Sequence, residues 1–275
     1  VARPAPCPPA EKRPRDIWVT QADRLKADPF AFYARAMLRL KPLEPVDADR
    51  SAQWKGTAVH DVLERWFNED DCEPDRLIDR ARALIAGEAI HPMLRALWQP
   101  RLLEAIDWIA AQERENRAAG RRPVAAEAEG KAIIDGVTLH GIADRLDRLP
   151  DGRLAIVDYK TGQPPTGKAV ETGFALQLGL LGLIAREGGF AVQGLPGAHE
   201  YWSLARGKDG YGKKVESDKG VGADAFVERA TSQFLVLVSN YLTGTEPFTA
   251  KLHPAFAPYG DYDQLMRLDE WYGRT

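Results

Sequence analysis

Apolar residues recur along this chain with two periods, close to 3.6 residues before residue 120 and close to 2 immediately after it. The helical period starts near Ile17, because residues 1–16 carry Pro4, Pro6, Pro8, Pro9 and Pro14 with almost no large apolar side chain, the composition of a linker. Thr20, with Asp23 three residues on, is expected to cap a short helix, and Asp28-Pro29 to restart helix as far as about Leu40. Further helices are expected over Trp54 to Phe67, Asp75 to Ala86 and Met93 to Ala119, with Pro100 as a kink or restart and Gly120 as the stop.

Residues 124–160 read instead as three strands joined by the turn dipeptides Asp135-Gly136 and Asp151-Gly152, a meander. A Gly/Pro loop from Thr161 to Lys168 leads into an apolar helix, Ala169 to Arg186, closed by Gly188-Gly189. A strand at Glu200 to Ala205, a polar loop from Arg206 to Gly222 and a helix from Ala223 to Leu242 follow. The last residues, with Tyr259, Tyr262 and Trp271, are expected to pack as an aromatic tail. This order predicts an α/β fold, a mixed sheet flanked by helices on both sides with an N-terminal helical segment. The linker then covers 1–16, the domain 17–247 and the tail 248–275.

With 275 residues and 44% apolar side chains, the chain has the material for one domain-sized core. It shows neither an apolar run of about 18 residues nor a signal-like leader, which predicts a cytoplasmic protein without a membrane segment. Cys7 and Cys72 are too few for a disulfide framework or a four-cysteine metal site. The first residue is Val1, as expected of a piece of a larger protein. A net charge of −3 argues against a globally basic nucleic-acid binder, so any DNA contact has to be local. Arg121, Arg122, Lys208, Lys213 and Lys214 are the candidates, against the plainer reading of solvated surface charge.

The chemistry concentrates in Gly141-Ile142-Ala143-Asp144 and Ala155-Ile156-Val157-Asp158-Tyr159-Lys160. Asp158 and Lys160 are two apart on a strand and share one face. Counting back from a three-residue loop, Leu149 pairs with Arg153 and Asp144 falls opposite Asp158. The two-residue turn at Asp135-Gly136 puts Glu127 opposite Asp144 by the same counting, with Glu129 on that face too. Adjacent carboxylates repel unless a cation sits between them. Hard oxygen ligands suit Mg²⁺ or Mn²⁺, and Lys160 would stand beside them to orient water or balance developing charge. A metal site and a surface charge cluster both fit at this point.

The spaced pattern Gly56-Thr57-Ala58-Val59-His60 with Leu63-Glu64, then Gly141 to Asp144, Asp158-Tyr159-Lys160-Thr161-Gly162 and Gln177, resembles the RecB-like branch of the PD-(D/E)XK nucleases. The likeness covers about residues 17–190. Asp28-Pro29-Phe30-Ala31-Phe32-Tyr33 and Tyr259-Gly260-Asp261-Tyr262-Asp263 are most similar to the C-terminal nuclease domain of AddB, a component of AddAB helicase-nucleases. The resemblance implies a restriction-endonuclease-like core and a Mg²⁺- or Mn²⁺-dependent deoxyribonuclease, an exonuclease acting in double-strand break processing for recombinational repair. Asp144 and Asp158 would hold metal, His60 would assist, Lys160 would serve the nucleophile, and Gln177 would complete the set, with Glu127 an addition. Single-stranded DNA ends and an AddA-like helicase-nuclease subunit are the implied partners. Two departures stand out. Asp28 replaces a cysteine that many relatives use for an iron-sulfur cluster, and no cysteine follows Cys72, so no cluster is predicted. Leu181 stands where relatives often carry tyrosine.

Plainer readings accompany each residue. His60 fits an ordinary helix histidine, and Gln177 fits a structural hydrogen bond to the preceding strand. Gly162 to Lys168 mimics a phosphate-binding loop, yet Ala169 replaces the magnesium-binding hydroxyl and Pro164 and Pro165 remove backbone donors, so no ATP site is expected. His91, His140, His199 and His253 lack paired metal spacing. A catalytically silent module that binds DNA ends or a partner subunit is the rival to an enzyme.

Overall fold

The computed structural model describes residues 2–41, 51–86, 92–208, 210–257 and 260–273; His91 and Tyr259, singled out above, lie outside them. Both hairpins form where turn chemistry puts them. Asp135 and Gly136 take φ of 49° and 74°, the left-handed pair of a two-residue turn, between strands β2 (Arg122–Ile134) and β3 (Val137–Arg148). Gly152, at φ 83°, closes the loop into β4 (Leu154–Lys160), with Leu149 N donating to Arg153 O at 2.9 Å.

Among the described residues the sheet has six strands. Strand β1 (Asp16–Trp18) runs parallel to β3, β4 parallel to β5 (Pro196–Arg206), and β6 (Tyr211–Glu216) antiparallel at the far edge. Because β2 pairs along nearly all of β3, β1 and β4 must share its other edge: β1 takes Thr138 to His140 and β4 takes Arg145 to Arg148. Among the described residues no strand pairs with 141–144 on that edge, and Asp144 stands at the mouth of this fork.

Helices cover both faces. On one side α1 (Val19–Ala27), α7 (Gln177–Arg186) and α8 (Ala223–Leu237) bury Leu178, Leu181 and Phe226 with Ile156 and Tyr201 of the sheet. On the other, α3 (Ser51–Asp70), α4 (Pro74–Ala86) and α5 (Pro92–Ala118) bury Trp66, Leu77 and Ile106 with Val157, Tyr159 and Trp202. The strands alternate between the two cores because successive side chains point to opposite faces. The second layer is fastened by buried charge. Arg121 binds Asp147 at 2.6 Å and Glu200 at 2.8 Å, while the fully buried Arg145 binds Asp147 at 2.6 Å and also Glu113 of α5. Arg121 is therefore a structural ion and not a DNA contact, and Lys214 lies against Glu216 and Glu200.

Several expectations change. The predicted helix at 169–186 is split into α6 (Gly167–Glu171) and α7, because Gly173 at φ 71° turns the chain, with Lys26 pressed against it. The polar stretch expected as a loop contains β6, whose Lys213, Lys214 and Glu216 suit a solvated sheet edge. Helix α5 runs through Pro100, and α1 starts at Val19, with Gln21 and not Asp23 accepting the bond from Trp18 N at 3.0 Å.

A short α2 (Pro29–Phe32) follows Asp28. It packs Phe30 and Ala31 on Tyr262 and Met266 of the tail, where the last helix, α9 (Leu268–Trp271), brings Trp271 alongside. Buried Lys251 pairs with Asp263 at 2.7 Å and faces Asp28 at 3.8 Å. The proline-rich leader is tied to the body: Pro4 O and Pro6 O accept from Ala250 N and Phe248 N, and buried Arg13 donates to Tyr241 O at 3.0 Å. No described helix is long and apolar enough to cross a membrane.

Candidate metal centre at the sheet fork

Arg145 pairs with Val157, so the next position on each strand sets Asp144 opposite Asp158, the register read from the turn. There β4 leaves β3, and the Tyr159 amide donates to Asp144 Oδ2 at 2.7 Å. Ala126 pairs with Arg145 and Ala128 with Ala143, which leaves Glu127 opposite Asp144 as expected, but with φ of 45°. A left-handed glutamate inside a strand is strained, and here the strain accompanies a carboxylate reaching the fork. Helix α3 supplies His60, whose Nδ1 lies 3.3 Å from Glu127 Oε1 and 3.9 Å from Asp144 Oδ2. Donor atoms of His60, Glu127 and Asp144 all fall within 4.8 Å of one another. Asp61, Glu64 and Glu129 line the same open groove.

Asp158 stands outside that group, facing α7. Its Oδ1 accepts from Gln177 Nε2 at 2.5 Å, and Lys160 Nζ lies 2.7 Å from Oδ2 as an ion pair without hydrogen-bond alignment. Gln177 Oε1 accepts from the same ammonium at 3.4 Å. Thus six residues expected from the sequence gather in two adjoining sets, with Asp144 and Asp158 between them.

The charges are unfavourable as they stand. Burial, and then repulsion from Asp158, pushes the Asp144 carboxyl up to about 7. Burial also raises Asp158, against the pull of Lys160. The hydrogen bond that His60 donates to Glu127 carries its pKa up to about 8. A cation between these groups would relieve both the repulsion and the cost of burial. Its donors, several hard oxygens with one imidazole and the unspent acceptor capacity on buried Asp158 Oδ2, fit Mg²⁺ or Mn²⁺.

The decoys have other employment. Leu181 is fully buried, and a side chain at Gly141 would meet its Cδ2 at 2.6 Å, so this position belongs to the α7–β3 core and not to the groove. In the Gly162–Lys168 loop, Thr166 caps the short α6 by accepting from Ala169 N at 3.2 Å. His199 is buried on Asp218 at 3.0 Å, and His140 faces Asp16 at 3.1 Å. One acid beside the centre carries no mark of a site residue in the sequence. Asp23 of α1 accepts from Leu176 N at 2.7 Å and is raised to about 6 by burial, with Lys26 and Lys160 near enough to pull it down. Its only sequence signal is its place in a supposed helix cap.

Comparisons with known proteins give the family. An uncharacterized protein of Rickettsia bellii (strain RML369-C) is 26% identical over 272 residues, 94% of this chain and 30% of that protein. A Streptococcus mutans protein named as a subunit of an ATP-dependent helicase/deoxyribonuclease is 29% identical over 140 residues, 49% of this chain and 13% of that protein. The chain therefore spans less than a third of the length of these curated relatives. A solved structure described as "Crystal structure of SSO0001" covers 91% of this chain and 85% of its own at 10% identity, with a TM-score of 0.37, a likeness too loose to bear on function. The sequence profile of the PD-(D/E)XK nuclease superfamily matches residues 19–253, and the chain belongs to that superfamily.

Proposed function

We propose that this domain is a DNA nuclease dependent on Mg²⁺ or Mn²⁺, with Asp144, Asp158 and His60 holding the cation and Glu127 as a further ligand. The observation that carries the reading is the gathering at the fork of His60, Glu127 and Asp144 donor atoms within 4.8 Å of one another, beside the Lys160–Asp158–Gln177 set. The cation, when bound, would polarise a phosphoryl oxygen and acidify water. Lys160 would orient the attacking water or balance charge on the phosphoryl oxygens, and Gln177 hydrogen-bonds both Lys160 and Asp158.

The further reading is exonucleolytic processing of single-stranded ends at double-strand breaks, for recombinational repair, beside an AddA-like helicase-nuclease subunit. It is supported by the AddB-like motifs and by the partial similarity to the streptococcal protein. A second reading, a silent module that binds DNA ends or a partner subunit, draws on Leu181, a buried core residue at the position where the resembled nucleases often carry tyrosine.

End-labelled single-stranded DNA with Mg²⁺ or Mn²⁺ tests the enzyme. Cleavage is expected, falling at least about a hundredfold in Asp158→Ala and in Lys160→Ala. A protein that neither cuts nor gains thermal stability from Mn²⁺ is no nuclease, and the binding module takes its place.

A further inference from the structure

Helix α1 grips the connection into α7 at two points. Asp23 Oδ1 accepts from Leu176 N at 2.7 Å. Three residues later on the same helix, Lys26 Nζ donates to Thr172 O at 2.8 Å and to Gln233 Oε1 at 2.7 Å. The segment between, 172–176, includes Gly173 at φ 71°, where an added Cβ would meet Lys26 Nζ at 2.8 Å. Leu176 precedes the first residue of α7 and has no side chain able to cap it, so the helix takes its cap from Asp23, far away in sequence. A carboxylate there also suits the positive end of the helix. The first residue of α7 is Gln177, whose amide bridges Asp158 and Lys160.

We propose that Asp23 is a positioning residue for the nuclease centre: by capping α7 from outside, it sets the place of Gln177 and thereby the pairing of Asp158 with Lys160. This inference rests on the nuclease reading above. It needs the acceptor oxygen of Asp23 and not its charge, so asparagine can replace it.

Single-turnover cleavage of single-stranded DNA by Asp23→Ala, Asp23→Asn, Gln177→Ala and the Asp23→Ala/Gln177→Ala double variant tests it. Asp23→Ala should cut about tenfold more slowly at saturating Mn²⁺. Asp23→Asn should stay within about twofold of the parent, and the double variant should be no slower than Gln177→Ala alone. Additive losses, an Asp23→Asn as slow as Asp23→Ala, or an Asp23→Ala as fast as the parent would each overturn it. A readout independent of cleavage separates this inference from the nuclease reading. In ¹H–¹⁵N spectra the Gln177 side-chain amide should be protected from exchange in the parent and in Asp23→Asn and exposed in Asp23→Ala. Should the protein not cut, that spectrum still decides: equal protection in all three sinks the positioning role.

Discussion

Asp144 is expensive to the protein that carries it. Its carboxyl is held at about 7 in the fold, against roughly 4 for a free aspartate, so the folded state binds the proton more readily than the unfolded chain. Stability of the metal-free protein must then fall as pH rises from about 4 to 7 and stay reduced above that. His60 acts in the same direction: raised to about 8, it contributes stability that is whole below about 6.5 and lost as pH climbs through 8. A cation has to displace these protons, so Mn²⁺ should bind more tightly over the same interval. Melting curves in chelator should therefore drop between about pH 4 and 8, and saturating Mn²⁺ should flatten that drop. Asp144→Asn, which removes the buried charge, should melt a few degrees higher than the parent at pH 8 in chelator yet gain nothing from Mn²⁺. A lower melting point in chelator would show that Asp144 stabilises the fold and is not a group held ready for a cation.

Among the elements, the helical layer of α3 to α5 owes its seat to charge as well as to apolar packing. Removing Arg145, 2% exposed in its side chain, leaves buried Asp147 with Arg121 alone and buried Glu113 with Arg117 alone. Arg145→Ala should cost about 3–5 kcal/mol in urea unfolding, a loss typical of a broken buried pair; a cost under about 1 kcal/mol would mean that Arg121 and Arg117 compensate. Gly141→Ala is a sharper probe of the opposite layer. Its new methyl would sit 2.6 Å from Leu181 Cδ2 and 2.9 Å from Ile184 Cδ1, and about 1–3 kcal/mol should be lost to overpacking. The two hairpins, and with them Glu127, Asp144 and Asp158 in neighbouring register, were legible in the sequence because turn chemistry is local and fixes pairing by counting. Strand β6 was not, since an edge strand carries lysines and glutamate as a loop does. The break between α6 and α7 was hidden for another reason: Gly173 turns against Lys26, which lies on a different helix. Asp23 reads as a local cap because its partner, the Leu176 amide, is remote in sequence and nearly every residue has such an amide.

At the scale of the whole molecule, a net charge of −3 and a groove lined by Asp61, Glu64, Glu127 and Glu129 repel a phosphate backbone. Affinity for single-stranded DNA should be about tenfold higher in Ca²⁺ than in chelator at equal ionic strength, because the cation reverses the sign of the potential at the fork. Equal affinity in a filter-binding titration would mean that DNA is held elsewhere. The leader and the tail meet away from that groove. Arg3 reaches Ala250 O at 2.6 Å, Pro4 and Pro6 hydrogen-bond the backbone at 248–250, and Lys251 binds Asp263. In mechanical terms this seam is a fuse. A pull applied between residues 2 and 273 loads the leader–tail hydrogen bonds first and peels them before tension reaches β3 or β4, so the domain can yield at its ends while the strands that form the fork keep their register.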